Sequence, residues 1–206
     1  MTDTSQQLDD LALRILDVPN TDRRLVALAG APASGKSTMA ERLAEALDRA
    51  GAKAQVVPMD GFHLDNTLLI AGGLLARKGA PETFDANGFV HLVGRLKAER
   101  EVVYPLFDRT RDIAIAGAGR VGADSDVVIV EGNYLLFDAE PWRVLAQLWD
   151  VSIRIAPPIE VLRERLIARW ITHGLSDEDA VARAEGNDLA NAKLIAARAL
   201  PADFTL

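Results

Sequence analysis

The sequence predicts a doubly wound, mostly parallel α/β sheet with helices on both faces, a three-layer α/β/α arrangement. Short apolar runs at 24–29, 126–131 and 149–155 have the length and branching of buried parallel strands. Stretches of helical period separate them, and glycine-rich or acidic turns follow the strands' carboxyl ends, where open parallel sheets bind ligands.

Composition bounds the possibilities. With 206 residues, 49% of them hydrophobic, the chain has material for one domain, 1–206, with a sizeable core. Thirty acidic against 23 basic side chains leave a net charge of −7, which argues against a general nucleic-acid or anionic-membrane binder. Without cysteine there are no disulfides and no thiolate nucleophiles or ligands. The opening MTDTSQQLDD is polar and acidic, unlike a secretory signal, and no apolar run approaches the ~18 residues that span a bilayer. A cytoplasmic protein without membrane insertion is expected; a homodimer is allowed.

Taken in order, Thr4 and Gln7 fit a capping box, and Leu8, Leu11, Ala12, Ile15 and Leu16 share one helical face. This packing helix, within residues 1–18, is expected to stop at Asp17-Val18-Pro19-Asn20. Arg24 to Ala29 is the first strand. It runs into Gly30-Ala31-Pro32-Ala33-Ser34-Gly35-Lys36-Ser37, which matches G-x-x-x-x-G-K-[ST] at every position, with Thr38 next in the following helix. Glycines let the backbone approach phosphate, successive N–H groups point at its oxygens, and the helix offers its positive end. In this pattern Lys36 reaches the β and γ phosphates and Ser37 holds Mg²⁺. The helix stripe Met39, Leu43, Leu47, Ala50 ends at Gly51.

Ala54 to Met59 forms the second strand; Pro58 belongs near the strand's end or on an edge, and Asp60 follows. Residues 61–84 lack a clean period and are expected to cover substrate. From the N-cap Asp85, a helix carries Phe89, Leu92, Val93 and Leu96 inward and His91 outward. Within 101–125, Tyr104 to Arg111 and the alternating Ile113 and Ile115 read as a hairpin that covers the site or extends the sheet. Asp126 to Glu131 is the clearest buried strand and ends in a carboxylate. A short helix at 140–147 and a strand at 149–155 follow. Residues 157–183 read as a helical lid: Leu162, Leu166 and Trp170 face the core, with Arg165 and Arg169 on one flank. Ser176 starts a further helix and Leu189 to Leu200 a last one.

A phosphate-binding loop alone serves kinases, motors, switches and synthetases. Phosphoryl transfer to an alcohol further requires metal between phosphates, positive charge on the migrating group and a carboxylate for the hydroxyl proton. Glu131 sits where a Mg²⁺-orienting acid belongs, Asp60 one strand away can take the proton, and Arg165 and Arg169 can close over the phosphates.

The loop GAPASGKS, MDGFHLDN (59–66), RKGAPETFD (77–85), YPLFDRTRD (104–112) and VEGNYLL (130–136), in this order, resemble the P-loop kinases grouped with uridine kinase, phosphoribulokinase and bacterial pantothenate kinase. Within that group they are similar to bacterial fructose transport system kinases, over roughly residues 23 to 200. The resemblance implies a P-loop NTPase fold and an ATP- and Mg²⁺-dependent phosphotransferase. Asp60 is then the base, Glu131 joins Ser37 at the metal, and Arg165 and Arg169 match a lid pattern. Phe62, His63, Arg77, Tyr104, Arg109 and Arg111 become candidates for substrate contact, and Asn187 and Asn191 either contact adenine or pack beneath it. Gly61-Phe62-His63 departs from uridine kinases, which argues against a pyrimidine nucleoside. A small hydroxyl substrate, foremost a sugar such as fructose, is expected; a nucleoside or pantothenate-like alcohol follows. The rival from another class is a nucleotide-switched regulatory protein serving a transporter.

Overall fold

A computed structural model describes residues 4–19 and 22–206. Helix α1 (Thr4–Leu16) is followed by β1 (Arg24–Gly30), α2 (Lys36–Arg49) and β2 (Ala54–Pro58). The Thr4 side chain and Asn20, invoked above for capping and for the helix stop, lie outside the described residues. Between β2 and the next long helix the chain makes a 3₁₀ turn at Met59–Phe62, a short helix α3 (Asn66–Ala71) and two further 3₁₀ turns. Then come α4 (Ala86–Ala98), the hairpin strands β3 (Val102–Asp108) and β4 (Ile113–Val121), β5 (Val127–Gly132) and β6 (Val151–Ile155). Helices α5 (Ile159–Thr172), α6 (Asp177–Arg183) and α7 (Leu189–Ala197) precede a two-residue strand β7 (Phe204–Thr205).

Five strands form one parallel sheet in the order β2-β5-β1-β6-β7. The phosphate-loop strand is therefore central, with the Glu131 strand on one side, and Leu28, Glu131 and Pro58 lie in register across β1, β5 and β2. Alternate residues explain the layers. Val26, Leu28, Val127, Ile129, Val151 and Ile153 face α1 and α2, while Leu25, Ala27, Val57, Val128 and Val130 face α4, the hairpin and Trp142. A smaller apolar cluster joins Ala31 of the loop to Leu162 and Leu166 of α5 and to Ala184, Leu189 and Ala192.

The expected hairpin forms, and of its two possible placements it does not extend the main sheet: it is a separate two-stranded antiparallel sheet laid over β2 and the 59–62 turn. Two expectations need correction. The 140–147 segment is a 3₁₀ turn, Trp142–Gln147. The two terminal helices are one continuous rod: α6 runs through a π-helical turn at Ala184–Asp188 directly into α7, which stops at Ala197 instead of Leu200. Glycine at 186 suggests a break, but a π turn accommodates the extra residue without interrupting the backbone bonds.

Candidate active site

Local backbone chemistry shapes the loop between β1 and α2. Ala33 and Gly35 both adopt left-handed conformations, with φ of 61° and 92°, so consecutive N–H groups turn inward to a concavity at the start of α2. Gly35 takes this conformation without strain; Ala33 takes it as a strained residue, the kind that concentrates at functional sites. Across the loop, Arg165 of α5 donates to the Ser34 carbonyl at 3.2 Å and the Ala33 carbonyl at 3.4 Å. The lid helix thus grips the rim of the loop.

Ser37 at the start of α2 donates to Glu131 Oε1 at 3.2 Å. Glu131 is buried, and its second oxygen, Oε2, has no partner. Burial pushes the Glu131 carboxyl up, against the pull of Lys36, with Asp60 adding to the rise. A hydroxyl beside a desolvated carboxylate oxygen with a free lone pair fits a hydrated hard cation held between protein and phosphates. Among the described residues no cluster of three or more carboxylates or imidazoles forms a metal cage, so phosphate and water would complete the shell.

Asp60 stands two residues beyond the end of β2, in the 59–62 turn. Its Oδ2 accepts from Arg109 at 2.8 Å, which fixes the carboxylate at the mouth of a cleft of about 440 Å³. That turn and the hairpin meet closely because residue 61 is glycine: a Cβ there would come within 2.1 Å of the Pro105 carbonyl oxygen. The D-G pair places the acid and lets the arginine-bearing hairpin close on it.

The same cleft is lined by Lys36, His63, Lys78, Phe107, Arg169 and Asp188, among others. His63 lies between Phe84 and Phe107, with ring centroids 4.1 and 4.7 Å away, and its Nδ1 is 2.8 Å from the Asp60 carbonyl oxygen. A carbonyl only accepts, so Nδ1 carries the hydrogen; burial lowers the His63 pKa against the pull of Asp60, leaving Nε2 of the neutral ring as an acceptor. Lys78, beneath the Phe107 ring, bonds Asn66 at 2.7 Å and Asp112 at 2.8 Å, tying the 61–84 segment to the hairpin tip. On the opposite wall, Trp170 Nε1 donates to Asp188 at 2.6 Å. Arg169 reaches toward solvent yet has its pKa lowered, by desolvation first and then by the nearby Arg109 charge. Two guanidinium groups converge on the cleft from the hairpin and the lid.

Of the expected contact residues, His63 and Arg109 line the cleft and four do not. Phe62 packs edge-on against Phe89 at 5.3 Å in the core. Tyr104 is 5% exposed, its hydroxyl bonded to the Val56 carbonyl at 3.3 Å. Arg77 is paired with Glu82 at 2.7 Å and Arg111 with Asp108 at 2.7 Å. Asn187 and Asn191 are buried, Asn187 donating to the Lys78 carbonyl and Asn191 to Asn187, so they brace this part of the fold. Trp170, expected in the core, lines the cleft. Lys78, with Arg77, Arg109 and Arg111 a cation that leaves a phosphorylated acceptor possible on sequence grounds, lines the cleft; Phe107, Asp112, Asn133, Arg183 and Asp188 escaped the sequence reading, and the mixture of cations and aromatics in 104–112 was the signal for the first two.

A central strand feeding a phosphate loop, with carboxylates after the next two strands on one side of it, β5 and β2, and an arginine-bearing lid, defines the P-loop kinase class. The chain belongs to the phosphoribulokinase/uridine kinase family, which it matches over residues 25–186. It is therefore an ATP- and Mg²⁺-dependent phosphotransferase with a hydroxyl group as acceptor. A crystal structure described as a "putative fructose transport system kinase" from Silicibacter sp. TM1040 superposes with a TM-score of 0.95 at 58% identity, covering 99% of each chain. "Uncharacterized protein YggC" of Escherichia coli K12 is 42% identical over 174 residues, 82% of this chain and 72% of that one. A "putative uridine kinase" of Schizosaccharomyces pombe is 33% identical over 209 residues, 96% of this chain and 89% of its own. Among the described residues no helix is long and apolar enough to cross a membrane.

Proposed function

We propose that this enzyme transfers the γ-phosphoryl group of ATP to a hydroxyl of a small sugar such as fructose, with Asp60 as the base. The observation that carries this reading is the Asp60 carboxylate, held by Arg109 at 2.8 Å in the same cleft as Lys36. A hydroxyl seated there gives its proton to Asp60 while Lys36 and Arg169 bear the charge of the transferring group. Arg165 holds the lid to the loop, and Ser37 and Glu131 hold the metal. Magnesium, when bound, neutralises the phosphate oxygens.

Support for a sugar comes from the hydrogen-bonding side chains His63, Asp112 and Asn133, which line the cleft together with the aromatic Phe107 and Trp170. The printed description of the Silicibacter relative agrees with it. Lys78, Arg169 and Arg183 favour a second reading, an alcohol that carries a carboxylate or phosphate, which includes a pantothenate-like acceptor. On either reading residues 1–206 work as one cytoplasmic kinase domain, with 61–84 and 101–125 covering the acceptor and 157–183 as lid. A homodimer is compatible with it.

ADP release measured with Mg²⁺, ATP and a panel of sugars, hydroxy acids, sugar phosphates and nucleosides tests the proposal. Release that rises only with a sugar is expected; release independent of every acceptor would make the protein a nucleotide-driven regulator instead. Asp60→Asn should keep ATP affinity and lower kcat by roughly 10² to 10⁴. Unchanged turnover would remove Asp60 from the role of base.

A further inference from the structure

A cavity of about 690 Å³ lies between the carboxyl ends of β1 and β6 and helices α5 and α7, against the first residues of the loop. Its walls are apolar, formed by Ala31, Leu136, Ile155, Leu162, Ala192 and Ile195 among others. Arg165 grips the loop from one flank of α5, whereas Ile159 and Leu162 of that helix face this cavity. The cavity lies against the first turns of the lid helix, whereas Arg169 and Trp170, which line the reaction cleft, stand about two turns further along it.

Two buried polar atoms in the cavity lining have no partner. Asn133 is 9% exposed, and its Oδ1 accepts nothing. Arg154 is on β6, whose Val151 and Ile153 face α1 and α2; alternation turns Arg154 to the opposite, α7 side, where its buried Nε donates to nothing. Lys193 stands at the rim, and no carboxylate lines the cavity. Leaving a buried acceptor and a buried guanidinium donor unsatisfied is costly, and the cost is relieved by a guest that satisfies both.

We propose that this cavity is a second small-molecule site, one that takes a carboxylate carried on a compact apolar body with one hydrogen-bond donor. The carboxylate meets Arg154, the donor meets Asn133 Oδ1, and the alanine, leucine and isoleucine walls take the body. Gly30 and Ala31 of the phosphate loop also form its wall, and Asn133 borders both spaces. An occupant therefore touches the nucleotide site without entering it.

The test is calorimetry with 4-hydroxybenzoate as probe and benzyl alcohol as the uncharged control, with a non-hydrolysable ATP analogue and Mg²⁺ saturating, and crystals soaked in the same probe. Expected is saturable binding of 4-hydroxybenzoate that persists with the nucleotide bound, with density in this cavity. Arg154→Gln, checked for folding by circular dichroism and for unchanged basal turnover, should weaken it roughly tenfold or more, the worth of one charge-assisted hydrogen bond. Arg154→Lys should retain part of it. Absence of saturable binding, displacement by the nucleotide analogue, equal affinity in Arg154→Gln, or only ordered water in the soaked cavity would each overturn the proposal.

Discussion

Glu131 shows how a single side chain trades stability for readiness. Its carboxyl is buried, with Ser37 on one oxygen and nothing on the other, and desolvation lifts its pKa. The folded state thus holds the proton more tightly than the unfolded chain, in which glutamate titrates near ~4.3. The penalty is absent below that pH and grows as pH rises through the elevated folded value. Glu131→Gln, without nucleotide, should match the wild type in acid and exceed it at neutral pH by about 1 kcal/mol or more, roughly 2–4 °C in Tm. Thermal melts across pH check this; parallel curves at all pH would refute it. Both strand-end acids were legible because a β-branched run followed by a carboxylate carries its own register. Tyr104 was not. Its face depends on a register jump between Tyr104 and Leu106, opposite Gly119 and Ile115, where β4 spends extra residues. No alternation in the sequence marks a bulge, so Tyr104 passed for a cleft residue while Phe107 went unnoticed.

Among the elements, the rod from Asp177 to Ala197 carries Arg183 and Asp188 into the wall of the cleft proposed for the acceptor. Its π turn ends at Asp188, the acceptor for Trp170 Nε1 of the neighbouring α5. An uninterrupted α-helix would carry the later residues round by a different angle, so the extra residue per turn helps set where Asp188 points. Asp188→Ala should release Trp170 and lower kcat/KM for the acceptor by about tenfold, the worth of one charged hydrogen bond, with the KM for ATP unchanged. Glu185→Ala, which removes only a surface pair with Arg163, serves as the control. A rise in the ATP KM instead would mean that the turn serves the nucleotide half of the site. Periodicity made the existence of these helices clear, but a π turn leaves no periodic trace, and Gly186 reads as an ending.

For the molecule as a whole, the loop, α5 and α7 share one apolar cluster, Ala31 with Leu162, Leu166 and Ala192, so nucleotide binding should stabilise the fold as a unit. An ATP analogue with Mg²⁺ at a hundredfold its Kd should add about 2.7 kcal/mol, a rise of roughly 5–10 °C in Tm. Lys36→Ala should abolish the rise; a persisting shift would place the nucleotide elsewhere. The strands themselves were readable from the apolar runs, and Pro58 marked the second as ending there or lying at an edge, since proline's missing N–H restricts it to such places. The hairpin's attachment was not readable, because it rests on contacts between residues far apart in the chain, such as the Tyr104 hydroxyl on the Val56 carbonyl and the Gln55 amide on Arg120. Those contacts have a bearing on self-association. They lie along β2, the outer strand of the main sheet, whose exposed carbonyls and amides would otherwise template pairing with the sheet of another molecule. By covering that border, the hairpin would guard against fibre-like stacking, so the proposed cover of the acceptor and the shield of the sheet's edge would be the same seven-residue and nine-residue strands.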